Sequence, residues 1–159
     1  MWNIYGLSTM AKLQFPVDLR EFLKLLNSAR VEYLLIGGYA VAYYGYPRAT
    51  ADLDIWVNVS DTNARKLVRI LRNFGFDVAE LTEELFLKSD RIVRFGEAPL
   101  RIEILTTISG VSFDDCFRRR ARVRFDGLQI NLISLPDLKK NKAASGRPKD
   151  LDDLQRLEE

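Results

Sequence analysis

The chain is 159 residues long, 47% apolar and 29% charged, with a net charge of +2. This is ordinary for one soluble globular domain, and the overall charge names no partner. Histidine is absent, which excludes a Ser-His-Asp triad, a Cys-His pair, an HExxH protease and a His-containing deaminase zinc site.

Acid–base or metal chemistry must therefore run on carboxylates, lysine or tyrosine. The lone Cys116 cannot close an internal disulfide, which fits a reducing cytosol. No apolar run reaches the roughly 18–20 residues of a membrane span, and the N-terminus lacks the pattern of a signal peptide. The expected setting is cytoplasmic and away from membranes. Residues 1–15 read as a peripheral segment and 16–159 as one domain.

In chain order, Asp18 to Ser28 carries Leu19, Phe22, Leu23, Leu25 and Leu26 near helical spacing, with Pro16 suited to a first turn. Tyr33 to Ile36 reads as a short strand stopped by Gly37-Gly38, and Tyr39 to Tyr44 as a short helix. Asp52 to Val59 alternates: Leu53, Ile55, Val57 and Val59 face one way, Asp52, Asp54, Trp56 and Asn58 the other. Ser60 or Asp61 caps a helix that Gly75 closes.

Leu85–Leu87, Arg91–Phe95 and Leu100–Leu105 read as three strands, and Phe113–Phe117 as one or two helical turns. Arg120–Phe125 and Leu128–Ile133 form a hairpin across Asp126-Gly127. Ser134 opens a helix to about Ser145, and a last helix starts at Pro148. This is an α+β pattern without repeats. Arg118, Arg119, Arg120, Arg122 and Arg124 crowd one stretch, either as the solvated side of an edge strand or as a contact for RNA phosphates or an acidic partner.

The candidate chemistry sits in Gly37-Gly38 followed by Asp52-Leu53-Asp54. Residues two apart on a strand share a face, so the two carboxylates project together. Such a pair calls for a cation, and oxygen donors suit Mg²⁺. A diglycine at a strand end lets phosphate oxygens approach the backbone. Glu103, on the polar side of an otherwise apolar strand, completes a carboxylate trio if that strand lies beside Asp52–Val59. Two ions held there would stabilise the attacking and leaving oxygens of an in-line displacement.

The stretch Tyr33-Leu34-Leu35-Ile36-Gly37-Gly38-Tyr39-Ala40, then Gly45-Tyr46-Pro47-Arg48-Ala49-Thr50-Ala51-Asp52-Leu53-Asp54, resembles the DNA-polymerase-β-like nucleotidyltransferase superfamily. The closer likeness is to its AbiEii-like branch of toxin-type enzymes, which has GG, R-x-T-x-D-L-D, a later acidic strand residue and K…R-x-K-D-x-x-D. Here Lys142 and Arg147-Pro148-Lys149-Asp150-Leu151-Asp152-Asp153 match the last element.

The resemblance implies a nucleotidyltransferase fold, with a mixed sheet, helices packed on it and a C-terminal helical element. It implies that Asp52 and Asp54 bind both of two Mg²⁺ ions (or Mn²⁺), and that Glu103 binds the catalytic ion and helps deprotonate the acceptor. Gly37 and Gly38 would hold the triphosphate of ATP or another nucleotide, Lys142 and Lys149 would neutralise it, and Arg48 would lie near the phosphates or brace the carboxylate strand. Glu103 departs from the family's usual Asp by one methylene. The expected reaction is transfer of a nucleoside monophosphate to a hydroxyl on RNA, tRNA, protein or an aminoglycoside-like molecule. An antitoxin partner and a homodimer are compatible with it. The alternatives are a catalytically inert nucleotide- or partner-binding module of the same fold, and an RNA-binding domain using the arginine face.

Overall fold

The computed structural model describes residues 15–47, 50, 52–97 and 100–158. Its centre is a six-stranded mixed sheet in the order β3-β4-β2-β1-β6-β5. The strands are β1 (Tyr33–Ile36), β2 (Asp52–Val57), β3 (Ile92–Glu97), β4 (Leu100–Leu105), β5 (Ala121–Phe125) and β6 (Leu128–Leu132). Pairing is parallel for β2–β4 and β1–β6 and antiparallel for β1–β2, β3–β4 and β5–β6.

One sheet face is covered by two amphipathic helices. In α1 (Val17–Ser28) the apolar residues Leu19, Phe22, Leu23 and Leu26 recur at i, i+3, i+4 and i+7 and are buried, each contributing about 1.5–3 kcal/mol of transfer free energy. Pro16 stands just before this helix as its N-cap. In α3 (Asp61–Phe74) Ala64, Leu67, Val68 and Leu71 form the stripe. The Ser60 hydroxyl accepts from the Asn63 N–H, and Gly75, with φ of 117°, ends the helix in the left-handed conformation. The alternation in β2 and β4 supplies the apolar floor for these helices: Leu53, Ile55, Val57, Ile102 and Ile104 are all buried.

α2 (Gly37–Tyr43) follows β1, and the opposite sheet face carries the polar register positions together with α4 (Phe113–Arg118), α5 (Leu135–Ser145) and α6 (Pro148–Glu158). Trp56 lies on this face yet is buried: its indole N–H donates to the Thr106 carbonyl and its ring meets Phe113 edge-on. The hairpin turn is made by Asp126 and Gly127, both at positive φ.

Two expectations need correction. Glu83–Phe86 is a 3₁₀ turn, not a strand over Leu85–Leu87: Phe86 is buried, and Leu85 and Leu87 on either side both pack partly against the core rather than alternating between faces. Phe15, assigned to the peripheral segment, is buried and packs between the rings of Tyr39 and Phe125. Residues 1–14 lie outside the described part.

Candidate active site

Strand pairing decides which side chains meet. In the parallel β2–β4 register Asp52 stands opposite Arg101, and Asp54 opposite Glu103. In the antiparallel β3–β4 register Arg94 stands opposite Glu103. Directly paired residues share a sheet face, so three carboxylates and two guanidiniums gather on one side of three adjacent strands. The proximity expected of Asp54 and Glu103 is therefore present.

The next strand adds the diglycine. Ile36 pairs with Asp54, which carries the β1–α2 bend directly over the Asp54 side chain. Gly37 has φ of 69°, and a Cβ there would lie 2.1 Å from Asp54 Oδ2. A Cβ on Gly38 would lie 2.6 Å from the Thr50 hydroxyl oxygen. Both glycines are thus required by close approach, and one of them also by backbone conformation. The helix α2 begins at Gly37 itself rather than at Tyr39.

Each carboxylate is neutralised differently. Arg101 donates two bonds to Asp52, at 3.0 and 3.4 Å. Arg94 Nε donates to Glu103 at 2.9 Å. Asp54 shares a hydrogen bond with Glu103, and its carboxyl is pushed up to about 7, first by burial and then by the negative charges of Glu103 and Asp52, against a smaller lowering influence from Lys142. Among the described residues no three Asp, Glu or Cys side chains already converge as an ion-ligating group. Two of the three carboxylates are bonded instead to Arg94 and Arg101. The donor set still fits a hard divalent ion: all its donors are oxygens, and the raised Asp54 carboxyl reflects burial and negative charge from Glu103 and Asp52 that a bound cation would offset.

The C-terminal helices close the other side of a cleft of about 590 Å³, a size suited to a small-molecule ligand. Lys142 reaches the cleft wall but is buried, with its ammonium 3.1 Å from Asp150 and 3.0 Å from Asp153. Arg147 donates two hydrogen bonds to Asp150, at 2.7 and 3.4 Å, and its exposed side chain lines the cleft together with Lys149. Arg48 lies outside the described residues.

Thr50 and Arg147 stand within the motifs quoted from the sequence without a role of their own, and Arg101 shares the Glu103 face by spacing. Arg94 carried no such signal, because it meets Glu103 only through the β3–β4 register.

A mixed sheet with a diglycine bend over paired strand carboxylates defines a nucleotidyltransferase-fold protein. Residues 16–159 match the model of the family described as nucleotidyl transferases of unknown function (DUF2204), and the chain belongs to that family.

Solved structures share the fold. TM1012 of Thermotoga maritima, assigned as a nucleotidyltransferase, superposes with a TM-score of 0.61 at 19% identity, over 87% of this chain and 88% of that one. The lincomycin-bound lincosamide antibiotic adenylyltransferase LnuA gives 0.61 at 17% identity, over 91% and 96%. An antigenic nucleotidyltransferase-like protein of Paracoccidioides brasiliensis gives 0.54 at 16%, over 89% and 72%. No curated protein sequence matches the chain significantly.

Proposed function

We propose that the chain transfers a nucleoside monophosphate from a nucleoside triphosphate to an acceptor hydroxyl, with Asp52, Asp54 and Glu103 as ligands for two Mg²⁺ or Mn²⁺ ions. The observation that carries this reading is the register pairing of Asp54 with Glu103 directly beneath Gly37. When bound, such ions polarise the α-phosphate and neutralise charge on the attacking and leaving oxygens.

The chain's own residues supply the rest. Asp52 and Asp54 fix the ions relative to the sheet, and Glu103 accepts the acceptor's proton at a carboxylate oxygen. Gly37 and Gly38 bring backbone rather than side chain to the cleft floor, so phosphate oxygens can reach it. Lys149 and Arg147 at the opposite lip offset the charge of the departing pyrophosphate. Lys142 sits between Asp150 and Asp153 and braces that lip, a more structural part than the triphosphate contact expected from the motif. Positioning and charge neutralisation are sufficient for this reaction, and no histidine is required.

LnuA is named for adenylylating lincosamide antibiotics. Its similar length is a precedent for a small-molecule acceptor on so compact a frame. RNA, tRNA and protein hydroxyls remain acceptors to be tested beside it. The AbiEii-like reading, an antitoxin partner and a cytoplasmic setting rest on the motifs and composition alone. No described helix is long and apolar enough to cross a membrane.

One observation favours the inert module of the same fold: Arg94 and Arg101 already neutralise two of the carboxylates. Incubation with Mg²⁺ and each α-labelled triphosphate, offering RNA, protein and aminoglycoside- or lincosamide-like acceptors, separates the readings. The enzyme reading expects pyrophosphate release and labelled acceptor, reduced ~100-fold or more by Asp52→Asn. Triphosphate binding without transfer to any acceptor would establish the inert module instead.

A further inference from the structure

Arg94 occupies an unusual place. It projects from the edge strand β3, beside β4, into the same cleft as Asp54 and Glu103. Its side chain is 61% exposed, whereas Glu103 beneath it is 16% exposed. Nε donates to the carboxylate through a single hydrogen bond, at 2.9 Å, and the side chain lines the cleft. Two other arginine–carboxylate contacts are tighter. Arg119 grips the almost fully buried Asp137 with two bonds, at 3.1 and 3.0 Å, and Asp137 lies in the first turn of α5. Arg101 binds both oxygens of Asp52. Arg94 is the loosely held cation of the three.

We propose that Arg94 is an exchangeable cation of the triphosphate site: it neutralises Glu103 in the free chain, competes with a divalent ion for that carboxylate, and turns to the triphosphate once displaced. The proposal rests on the metal–triphosphate reading above. Three charge arguments support it. An exposed single-bond ion pair is weak and easily exchanged. A divalent ion bound at Glu103 repels a guanidinium a few ångströms away. A planar fork freed at that spot matches the spacing of phosphate oxygens, for which arginine is better suited than lysine. The pair also gives a physical use for Glu rather than Asp at 103, because the longer arm reaches both the neighbouring strand's arginine and the ion position beside Asp54.

The test measures two affinities on wild type and on Arg94→Gln, Arg94→Lys and Arg122→Gln. Mn²⁺ binding without nucleotide is read from the free-ion electron paramagnetic resonance signal. Binding of a non-hydrolysable triphosphate with Mg²⁺ is read by calorimetry. Arg122 is exposed on β5, at the far edge of the sheet, so its variant controls for net charge alone.

Arg94→Gln is expected to bind Mn²⁺ ~3–10-fold more tightly and the triphosphate ~10-fold more weakly. Arg94→Lys should fall between it and wild type, and Arg122→Gln should match wild type. Unchanged or weaker Mn²⁺ binding in Arg94→Gln overturns the proposal, as do equal shifts in Arg122→Gln. Failure of the wild type to take up any Mn²⁺ overturns the metal reading and the proposal together. Normal uptake by the wild type that is merely equalled by Arg94→Gln overturns the proposal alone.

Discussion

The Asp54 carboxylate fills the space that any side chain on Gly37 would need: a Cβ there would come within 2.1 Å of Asp54 Oδ2. Gly37→Ala must therefore push Asp54 off its position while also straining a backbone held at φ of 69°. The expected cost is about 1–3 kcal/mol of stability, together with a loss of triphosphate affinity larger than that stability change explains. Chemical denaturation and calorimetric titration on the same variant check both. Gly45→Ala is the comparison: Gly45 also has positive φ, but nothing lies within 4 Å of its missing Cβ, so strain appears without displacement of a site residue.

Asp54 sets a pH dependence whose sign is unusual for a carboxylate. Burial and its acidic neighbours raise it to about 7 in the folded chain, so between pH ~4 and ~7 the folded state holds a proton that the unfolded state has lost. Stability attributable to this group is therefore present at low pH and falls as pH rises through that window. In metal-free buffer Asp54→Asn should stabilise the chain by ~2 kcal/mol at pH 8 and by little at pH 4. Thermal unfolding at the two pH values, with chelator present, reads this directly. Added Mg²⁺ should raise the melting temperature of wild type and not of the variant.

Lys142 makes a prediction of the opposite kind. Its ammonium, Asp150 and Asp153 are all buried together, and removing the cation leaves two carboxylates without it. Lys142→Met is expected to destabilise by about 3–5 kcal/mol. Asp150 is raised by burial, but hydrogen bonds from Arg147, Ser145 and Lys142 outweigh that and bring it down to about 2. A carboxylate lowered in this way contributes stability above its unfolded value and loses it as pH falls from ~4 toward ~2. Acid unfolding of wild type should thus have a component that Asp150→Asn removes.

Periodicity and caps made most of the frame readable in the amino-acid order. The stripe Leu19–Phe22–Leu23–Leu26, the alternation through Leu53–Asp54–Ile55 and the Ser60 and Gly75 helix ends each follow from local physics, and the structure agrees with them. Leu85–Leu87 reads as a strand only because three apolar residues in a row carry no period that separates strand from turn. At the site, Asp52, Asp54 and Glu103 were legible because same-face spacing is local to each strand. Their partners were not. The Arg94–Glu103 pair is local, across the short β3–β4 turn, but it depends on the register of that hairpin, which the residues of the two strands alone leave open. The same limit applies to Lys142: its motif position was visible, but its burial between Asp150 and Asp153 depends on how α5 and α6 pack.

The central claim is that these carboxylates and the diglycine bend together hold a triphosphate through divalent ions. Equilibrium binding of a non-hydrolysable nucleoside triphosphate, with Mg²⁺ and with chelator, addresses it independently of the acceptor. Wild type should bind only when Mg²⁺ is present, and Asp52→Asn or Glu103→Gln should weaken that binding by ~10-fold or more. Equal affinity with and without Mg²⁺, unaffected by either substitution, would contradict the account.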